Sequence, residues 1–282
     1  MNQKKVLITG ANSGIGFASA RKLAEMGASV IMVCRDPGRG NAAWKEIAAV
    51  ATGESPTLLT VDLSSQAAIR ILACEIQTRF SQIDVLINNA AGIFSQRELT
   101  ADGIEKTFAI NHLAPFLLTH LLLGLVQAAP AGRIVTVASE SHSGSLDFNN
   151  LQGESSYNFF GAYNLSKLGN ILFTYELARR LQGTKVTANC MSPGPTRTRF
   201  GDDLTGLPRL FPKFMKSIPF LFVTPEKGAS TLIHLASSPE ANGVSGRFFL
   251  RGRETKTKKI TYNRDIAARL WTVSETLCSL SR

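Results

Sequence analysis

Two side chains in the second half of the chain have the types and the spacing of an acid–base pair. Tyr163 and Lys167 are four residues apart, so they share a face if that segment is a helix. A free phenol has a pKa of about 10, too high for easy proton exchange at neutral pH, and a nearby ammonium group favours the phenolate. The pair predicts proton exchange with a substrate oxygen, although the same spacing also arises by chance.

Ser139 and Asn111 are candidates for the same site. Ser139 follows the strand-like run Arg133–Ala138, and side chains at the carboxyl ends of parallel strands meet ligands. The Ser139 hydroxyl is therefore predicted to hold the substrate oxygen. Asn111 either interrupts a helix and leads water to Lys167 or is an ordinary helix-end residue. The sequence leaves these two alternatives open.

A glycine-rich turn separates the first strand-like run from the amphipathic segment Phe17–Met26. Glycines allow a tight turn and close approach of the backbone, and the N–H groups and dipole of the following helix attract a pyrophosphate. The position after a strand favours a dinucleotide site over an ordinary strand–helix junction. The predicted contacts are Gly10, Asn12, Ser13, Gly14, Ile15 and Gly16.

The end of the second strand-like run bears on the choice of cofactor. A carboxylate there would bind the ribose 2′-hydroxyl of NAD, whereas an arginine pairs with the 2′-phosphate of NADP. This chain has Cys34-Arg35-Asp36, with Arg39 nearby, and a guanidinium group offers two parallel donors to a phosphate. NADP(H) is therefore predicted and NAD(H) is less favoured. The alternative is that Arg35 is a surface residue paired with Asp36.

The elements that must position these residues follow the alternation of a parallel sheet. Helical segments such as Ala42–Val50 separate seven strand-like runs. The runs are apolar on successive residues, as expected of strands covered on both faces. They are Val6–Thr9, Val30–Cys34, Leu58–Val61, Val85–Asn88, Arg133–Ala138, Lys185–Met191 and Gly246–Leu250. The predicted fold class is α/β, a single-domain Rossmann-type doubly wound parallel sheet in three αβα layers over residues 1–282.

Charge is concentrated near the C-terminus. The 282 residues carry a net charge of +10, and residues 247–282 hold nine Lys and Arg against three Asp and Glu. Such a run more often decorates a solvated tail than binds a polyanion. Residues 251–282 are therefore predicted to form a basic C-terminal extension, and no nucleic-acid partner is expected.

Cysteine usage and apolar stretches bear on location. The cysteines lie far apart, without a CxxC pair or zinc spacing, so we expect buried thiols in a reducing compartment and no metal site. The chain runs from Lys4 and Lys5 directly into a strand, so export is not expected and a cytoplasmic location is predicted. Phe116–Val126 is about half the roughly 20 residues that span a bilayer, which favours a buried helix.

Two long segments, 141–160 and 195–223, break the alternation and are predicted to be active-site loops. The second interleaves many Phe and Leu residues with Arg and Lys. Three interpretations stay open for it. It is a lid over a lipophilic pocket, it packs against the domain, or it makes a peripheral contact with a membrane or a partner.

Taken in order, these motifs resemble the short-chain dehydrogenases/reductases over nearly the full length of the chain. The resemblance rests on the glycine turn, Asp62-Leu63, Asn88-Asn89-Ala90, Asn111, Ser139, Tyr163 with Lys167, and Pro193-Gly194. Cys34-Arg35-Asp36, Asn111-His112-Leu113 and the long gap between Ser139 and Tyr163 resemble the retinol dehydrogenase-like branch. One departure is Ala91, where the family has glycine, with Gly92 one residue later.

The resemblance implies hydride transfer between NADP(H) and a lipophilic carbonyl or alcohol such as a retinoid, a steroid or a fatty aldehyde. It implies that Tyr163 gives or takes the proton, Lys167 binds the nicotinamide ribose and lowers the tyrosine pKa, Ser139 polarises the carbonyl and Asn111 holds a water relay. The further cofactor contacts that it implies are Asp62, Leu63, Asn89, Ala90, Ala91, Pro193, Gly194, Thr196 and Thr198. It also implies a homodimer or homotetramer. The alternative function is an NADP(H)-binding sensor or scaffold without turnover.

Overall fold

The computed structural model of the chain describes residues 1–196 and 223–280. The strands are β1 (Lys5–Thr9), β2 (Ser29–Cys34), β3 (Thr57–Thr60), β4 (Val85–Asn88), β5 (Arg133–Val137), β6 (Thr187–Ser192), β7 (Phe248–Leu250) and β8 (Arg253–Glu254). The α-helices are α1 (Gly14–Glu25), α2 (Pro37–Ala48), α3 (Gln66–Arg79), α4 (Lys106–Phe108), α5 (Ala114–Ala128), α6 (Phe159–Arg180), α7 (Pro225–Ser237) and α8 (Arg264–Leu277). A π-helical segment, Ala109–Leu113, joins α4 to α5, and 3-10 turns lie at Pro239–Ala241 and Lys259–Tyr262.

The strands form one sheet in the order β3-β2-β1-β4-β5-β6-β7-β8. Neighbouring strands are parallel except β7 and β8. The chain runs outward from β1 to β3 and then returns to place β4 on the other side of β1. The predicted α/β fold is confirmed. Each of the seven predicted strands begins and ends within two residues of the bounds of an observed strand. Strand β8 was not predicted because it is two charged, exposed residues long.

Both faces of the sheet are covered, which explains why the strands are apolar on successive residues. Leu7 and Leu86 face a core shared with α3, α5 and α6. Val6 and Ile8, the neighbours of Leu7 in β1, face a second core with α1, α2 and α7. Because successive strand residues point to opposite faces, β1, β2, β4, β5 and β6 each contribute buried residues to both cores.

The C-terminal region differs from the predicted extension. Residues 251–254 are exposed, but helix α8 packs on the core, and its Trp271 is 5% exposed. The indole ring lies 5.0 Å from the ring of Phe116 and 5.8 Å from that of Phe173, and the Arg180 guanidinium covers it at 4.1 Å. The basic charge is therefore surface decoration, while α8 belongs to the domain.

The predicted buried helix lies inside α5. The helical segment Lys106–Ala128 is long and apolar enough to span a membrane, and an 18-residue window within it has a mean hydropathy of 1.6. However, 72% of this window is buried inside the fold. Phe116, Leu117 and Leu118 are each at most 1% exposed. The apolar character of this stretch is accounted for by packing between the sheet and α3.

Cys34, Cys190 and Cys278 are buried thiols, as predicted, but the prediction is wrong for Cys74, which is exposed. Cys74 follows the buried Ala73 on α3, and Ile76 returns to the core. The period of 3.6 residues in an α-helix places these two apolar residues inward and Cys74 outward.

Trp271→Ala is expected to lower the free energy of unfolding by about 3–5 kcal/mol, because it removes a buried aromatic ring from the contact of α8 with α5 and α6. Urea unfolding followed by circular dichroism measures the change. Ile71→Ala, at a position 70% exposed on α3, is the control. A loss no larger than that of the control would show that α8 does not belong to the core.

Candidate active site

A cavity of about 500 Å³ lies at the carboxyl ends of β1, β2, β4, β5 and β6. Strands β1 and β4 are the neighbours at which the strand order reverses, and ligands of open α/β sheets bind at that crevice. The predicted residues that line it are Gly10, Asn12, Ser13, Gly14, Ile15, Gly16, Arg35, Arg39, Asp62, Leu63, Asn89, Ala90, Ala91, Ser139, Tyr163, Lys167, Pro193, Gly194 and Thr196. Asn111 lies behind the cavity wall, and Thr198 lies outside the described residues.

The glycine turn needs glycine for two separate reasons. Gly10 and Gly14 have φ angles of +67° and +54°, which other residues rarely adopt. At Gly16, a Cβ atom would lie 2.2 Å from the carbonyl oxygen of Gly10 and 2.5 Å from Nδ2 of Asn89. The turn is therefore folded so tightly onto the start of α1 that a side chain at position 16 would open it.

Thr9 and Asn89 hold this turn against the end of β4. The Thr9 hydroxyl oxygen accepts hydrogen bonds from the backbone N–H groups of Asn89 and Ala90, at 2.9 and 3.0 Å. Nδ2 of Asn89 donates to the carbonyl oxygen of Thr9 at 2.8 Å. The amide of Asn89, predicted to contact the cofactor, thus supports the turn from the cavity wall.

The start of α1 suits an anion. Ser13, its N-cap residue, makes no side-chain capping bond, and the first turn contains no acidic residue. Side chains cap α2, α3, α6, α7 and α8 at their N-termini. The N–H groups at the start of α1 consequently face the cavity without a side-chain acceptor, which is the arrangement that binds phosphate.

Arg35 and Arg39 place positive charge at the same end of the cavity. Asp36 lies between them in sequence, and its carboxylate caps α2 by accepting from the backbone N–H of Arg39 at 2.8 Å. The carboxylate also pairs with Nε of Arg39 at 3.3 Å. These contacts, the backbone bond first, lower the pKa of Asp36. Residue 34, where an NAD-selecting acid is expected, is a buried cysteine.

Tyr163, Ser139 and Lys167 meet at the other end of the cavity. Helix α6 begins after Asn158, whose side chain accepts from the N–H of Gly161 at 2.9 Å, and it carries Tyr163 and Lys167 on one face. Nζ of Lys167 lies 5.6 Å from the centroid of the Tyr163 ring and donates to the carbonyl oxygen of Val137 at 2.9 Å. Tyr163 is hydrogen-bonded to Ser139.

Burial controls the ionisation of both residues. Burial raises the pKa of Tyr163 to about 12, against the opposing effect of its hydrogen bond with Ser139. Burial lowers the pKa of Lys167 to about 7. The resemblance implies a lowered tyrosine pKa, whereas the protein alone raises it, because desolvation of the phenolate outweighs the hydrogen bond. The chain by itself therefore holds Tyr163 as a proton-bearing phenol at neutral pH.

Asn111 is fully buried inside the π-helical segment, so it is not a helix-end residue. Its Oδ1 accepts from the N–H of Gly92 at 2.8 Å, and its Nδ2 donates to the carbonyl oxygen of Gly92 at 2.9 Å and to Oγ of Ser166 at 3.1 Å. The side chain thereby joins the loop after β4 to helix α6. The water relay that the resemblance implies stays a prediction.

Several cavity residues were missed by the sequence reasoning. Gly92 was noted only as a shifted glycine, yet both its backbone groups bond Asn111. Phe94, Ile110 and Ser141 also line the cavity. No spacing rule points to them, because each comes from a loop or helix that the fold alone brings to this edge.

A model of the family described as short chain dehydrogenase matches residues 4–206, a range that includes β1 to β6. This match contains the glycine turn and the Ser139, Tyr163 and Lys167 side chains that meet in the cavity. The chain therefore belongs to the short-chain dehydrogenase family.

Curated relatives narrow the comparison within that family. The chain is 43% identical to human retinol dehydrogenase 14, over 99% of this chain and 88% of the relative. It is 40% identical to human retinol dehydrogenase 11, over 98% of this chain and 86% of the relative. The resemblance to the retinol dehydrogenase-like branch is thus confirmed.

Solved structures agree with the fold. An uncharacterised protein from Mycobacterium paratuberculosis superposes with a TM-score of 0.78 at 32% identity, covering 99% of this chain and 94% of that chain. A short-chain dehydrogenase from Shigella flexneri, solved in complex with NADP, has a TM-score of 0.70 at 25% identity, covering 90% and 98%. The three-layer αβα arrangement is therefore shared over most of both chains.

The buried Lys167 is expected to give the stability of the protein a distinct pH dependence. Its pKa is about 7 in the folded chain, below the ordinary value of 10.5, so the unfolded chain binds more protons between these two pH values. The wild type should therefore gain stability relative to Lys167→Met as the pH rises through that window. Urea unfolding of both proteins without cofactor at several pH values measures the difference, and a difference that stays constant would contradict the prediction.

Proposed function

We propose that the chain is an NADP(H)-dependent oxidoreductase that interconverts a carbonyl and an alcohol. One observation carries the proposal. The glycine turn and the start of α1 line the same cavity as the hydrogen-bonded pair of Tyr163 and Ser139, and Lys167 also lines it. A dinucleotide cradle and an acid–base group thus face one space, as hydride transfer coupled to proton transfer requires.

The residues present fit a dinucleotide with a 2′-phosphate. The uncapped start of α1 fits the pyrophosphate, and Arg35 and Arg39 fit the additional phosphate. The Shigella flexneri relative, solved in complex with NADP, supports the same choice. Asp62 and Leu63 at the cavity wall would meet the adenine, and Pro193, Gly194 and Thr196 would lie toward the nicotinamide. When bound, NADPH supplies the hydride.

In the direction of reduction, Tyr163 donates its phenolic proton to the carbonyl oxygen as that oxygen gains negative charge. Ser139 donates a hydrogen bond to the same oxygen. Its Oγ accepts from the N–H of Ser141 at 3.0 Å, which leaves its hydroxyl proton available as the donor. Lys167, held by the Val137 carbonyl, binds the ribose and supplies positive charge beside the phenolate that forms. In the direction of oxidation, Tyr163 takes the proton back.

A lipophilic substrate is part of the proposal. Phe94, Ile110 and Pro195 line the same cavity as Ser139 and Tyr163, and the relatives named retinol dehydrogenases support an apolar carbonyl or alcohol. Thr196 pairs with Val223, so the segment predicted to be a lid leaves and re-enters the described fold beside the cavity. Residues 197–222 lie outside the described residues, and the lid, membrane contact, oligomeric state and cytoplasmic location stay predictions.

Tyr163→Phe is expected to lower NADPH-dependent reduction of lipophilic aldehydes and ketones by at least about 100-fold, because it removes the general acid. NADPH absorbance follows turnover, and NADPH fluorescence should show retained binding. Tyr175→Phe, on the same helix with its hydroxyl bonded to Thr257, is the matched control. If the wild type binds NADPH but reduces no carbonyl in the panel, the sensor or scaffold alternative becomes the better account.

Arg35→Ala is expected to weaken NADPH binding about 10- to 100-fold, because hydrogen bonds to a charged phosphate are worth roughly 1.5–3 kcal/mol. NADH binding should change little, since that cofactor has no 2′-phosphate. Titration of the protein with each cofactor measures both values, with Arg79→Ala on the exposed face of α3 as control. Equal weakening for NADH and NADPH would contradict the role assigned to Arg35.

A further inference from the structure

His112, next to Asn111 in the π-helical segment, is a buried imidazole that three elements share. It is 1% exposed. A Cβ atom at Gly169 of α6 would lie 2.8 Å from its Nδ1 and 3.1 Å from its Cγ, so the ring rests directly on the backbone of the catalytic helix. On its other side, Nε2 lies 3.0 Å from Oγ of Ser274 in α8.

The protons of this cluster can be assigned from two buried atoms. Among the described residues, Nδ1 of His112 and Oδ1 of Asn170 have no hydrogen-bond partner at standard geometry, and each would cost about 1–3 kcal/mol if it stayed unpaired. Burial lowers the pKa of His112 to about 4, while the Asn170 side chain acts in the opposite direction, as an oxygen acceptor beside the ring does. The two unpaired atoms are therefore neighbours of complementary type.

A neutral imidazole carries one ring proton, so it is on either Nδ1 or Nε2. With the proton on Nδ1, the ring donates to Oδ1 of Asn170, and Nε2 accepts the Ser274 hydroxyl proton. With the proton on Nε2, Ser274 turns its hydroxyl to the Leu270 carbonyl at 2.8 Å, and two acceptors, Nδ1 and Oδ1, face each other. Only the first arrangement pairs both buried atoms.

Asn170 connects this imidazole to the active site. Its Nδ2 lies 3.4 Å from the carbonyl oxygen of Val137, the same oxygen that accepts from Nζ of Lys167 at 2.9 Å. An amide that turns Oδ1 toward His112 turns Nδ2 toward Val137. The orientation of Asn170 therefore affects the carbonyl that anchors the catalytic lysine.

We propose that His112, protonated on Nδ1, is a positioning residue of the active site. It donates to Asn170 and accepts from Ser274, and in doing so it sets the catalytic helix α6 against the Asn111 segment and couples both to the C-terminal helix α8. The effect on turnover rests on the proposed oxidoreductase function. The ring itself touches neither substrate nor cofactor, so it acts through the placement of Lys167.

Kinetics of four variants test the coupling. His112→Phe places a slightly larger aromatic ring without hydrogen-bonding groups at this position and should lower kcat about tenfold through misplacement of Lys167. The KM for the carbonyl should change by less than about twofold, since the substrate contacts stay in place, whereas the KM for NADPH should rise modestly because Lys167 is proposed to bind the ribose. His112→Asn, which restores an N–H near the Nδ1 position, should recover most of the lost kcat, and Ser274→Ala should give a smaller loss than His112→Phe.

His120→Phe is the matched control. His120 also packs on α8, with its ring 5.0 Å from Trp271, but its Nδ1 lies 3.2 Å from the Phe116 carbonyl oxygen. Among the described residues, no hydrogen bond joins its ring to Asn170, Val137 or Lys167. Its kcat should equal that of the wild type. A folded His112→Phe with wild-type kcat, or an equal loss in His120→Phe, would overturn the proposal.

A second measurement needs neither turnover nor a variant at position 112. The ¹⁵N shifts of the imidazole nitrogens in the wild-type protein report which nitrogen is protonated, and His112 is assigned by elimination with variants of His120, His142 and His234. A proton on Nδ1 is expected, and a proton on Nε2 would overturn the proposal even if His112→Phe failed to fold. A wild type with the expected tautomer but no carbonyl reduction would instead reject the proposed function.

Discussion

The site depends on keeping a lysine amine out of water. Lys167 is 2% exposed, and a buried ammonium group is costly unless polar groups surround it. The Val137 carbonyl oxygen accepts a hydrogen bond from it. That oxygen is available because Val137 is the last residue of β5, at the carboxyl ends of the strands. Helix α6 consequently turns a polar face inward, with Ser166, Lys167, Asn170 and Thr174 all buried. A buried face of this kind specifies where α6 lies on β5 more sharply than apolar packing alone does.

The two ends of the cavity differ in their electrostatics: one end is suited to binding phosphates and the other to exchanging a proton. At the β1–β2 end, Arg35, Arg39 and the start of α1 concentrate positive charge where phosphates would bind. At the β5 end, burial holds Tyr163 as a phenol and brings the pKa of Lys167 to about 7, so both groups respond to charge brought by a ligand. The reversal of strand order between β1 and β4 opens one crevice to both ends. The bound dinucleotide is what would join the two tasks.

Most cavity residues were predictable because they belong to short motifs at strand ends. Parallel strands begin and end in register, so side chains that follow β1, β2, β4, β5 and β6 had to meet at one edge. Residues that act through long-range packing were not predictable. The C-terminal segment was expected to be a basic extension, yet Trp271 makes α8 part of the core. Charge counts describe a surface, and they do not reveal an apolar stripe that packs on distant helices.

The sequence by itself determined the alternation of strands and helices, the glycine turn and the pairing of Tyr163 with Lys167, because backbone sterics and helical spacing are local properties. Only the tertiary structure decided that Asn111 bonds Gly92, that Asn89 supports the turn and that His112 lies between Gly169 and Ser274. Each of these contacts joins residues that are 19 or more positions apart in the sequence, so no local sequence pattern could have indicated them. Burial likewise decided the ionisation of Tyr163 and Lys167, since desolvation depends on everything that packs around a group and on no single neighbour in the chain.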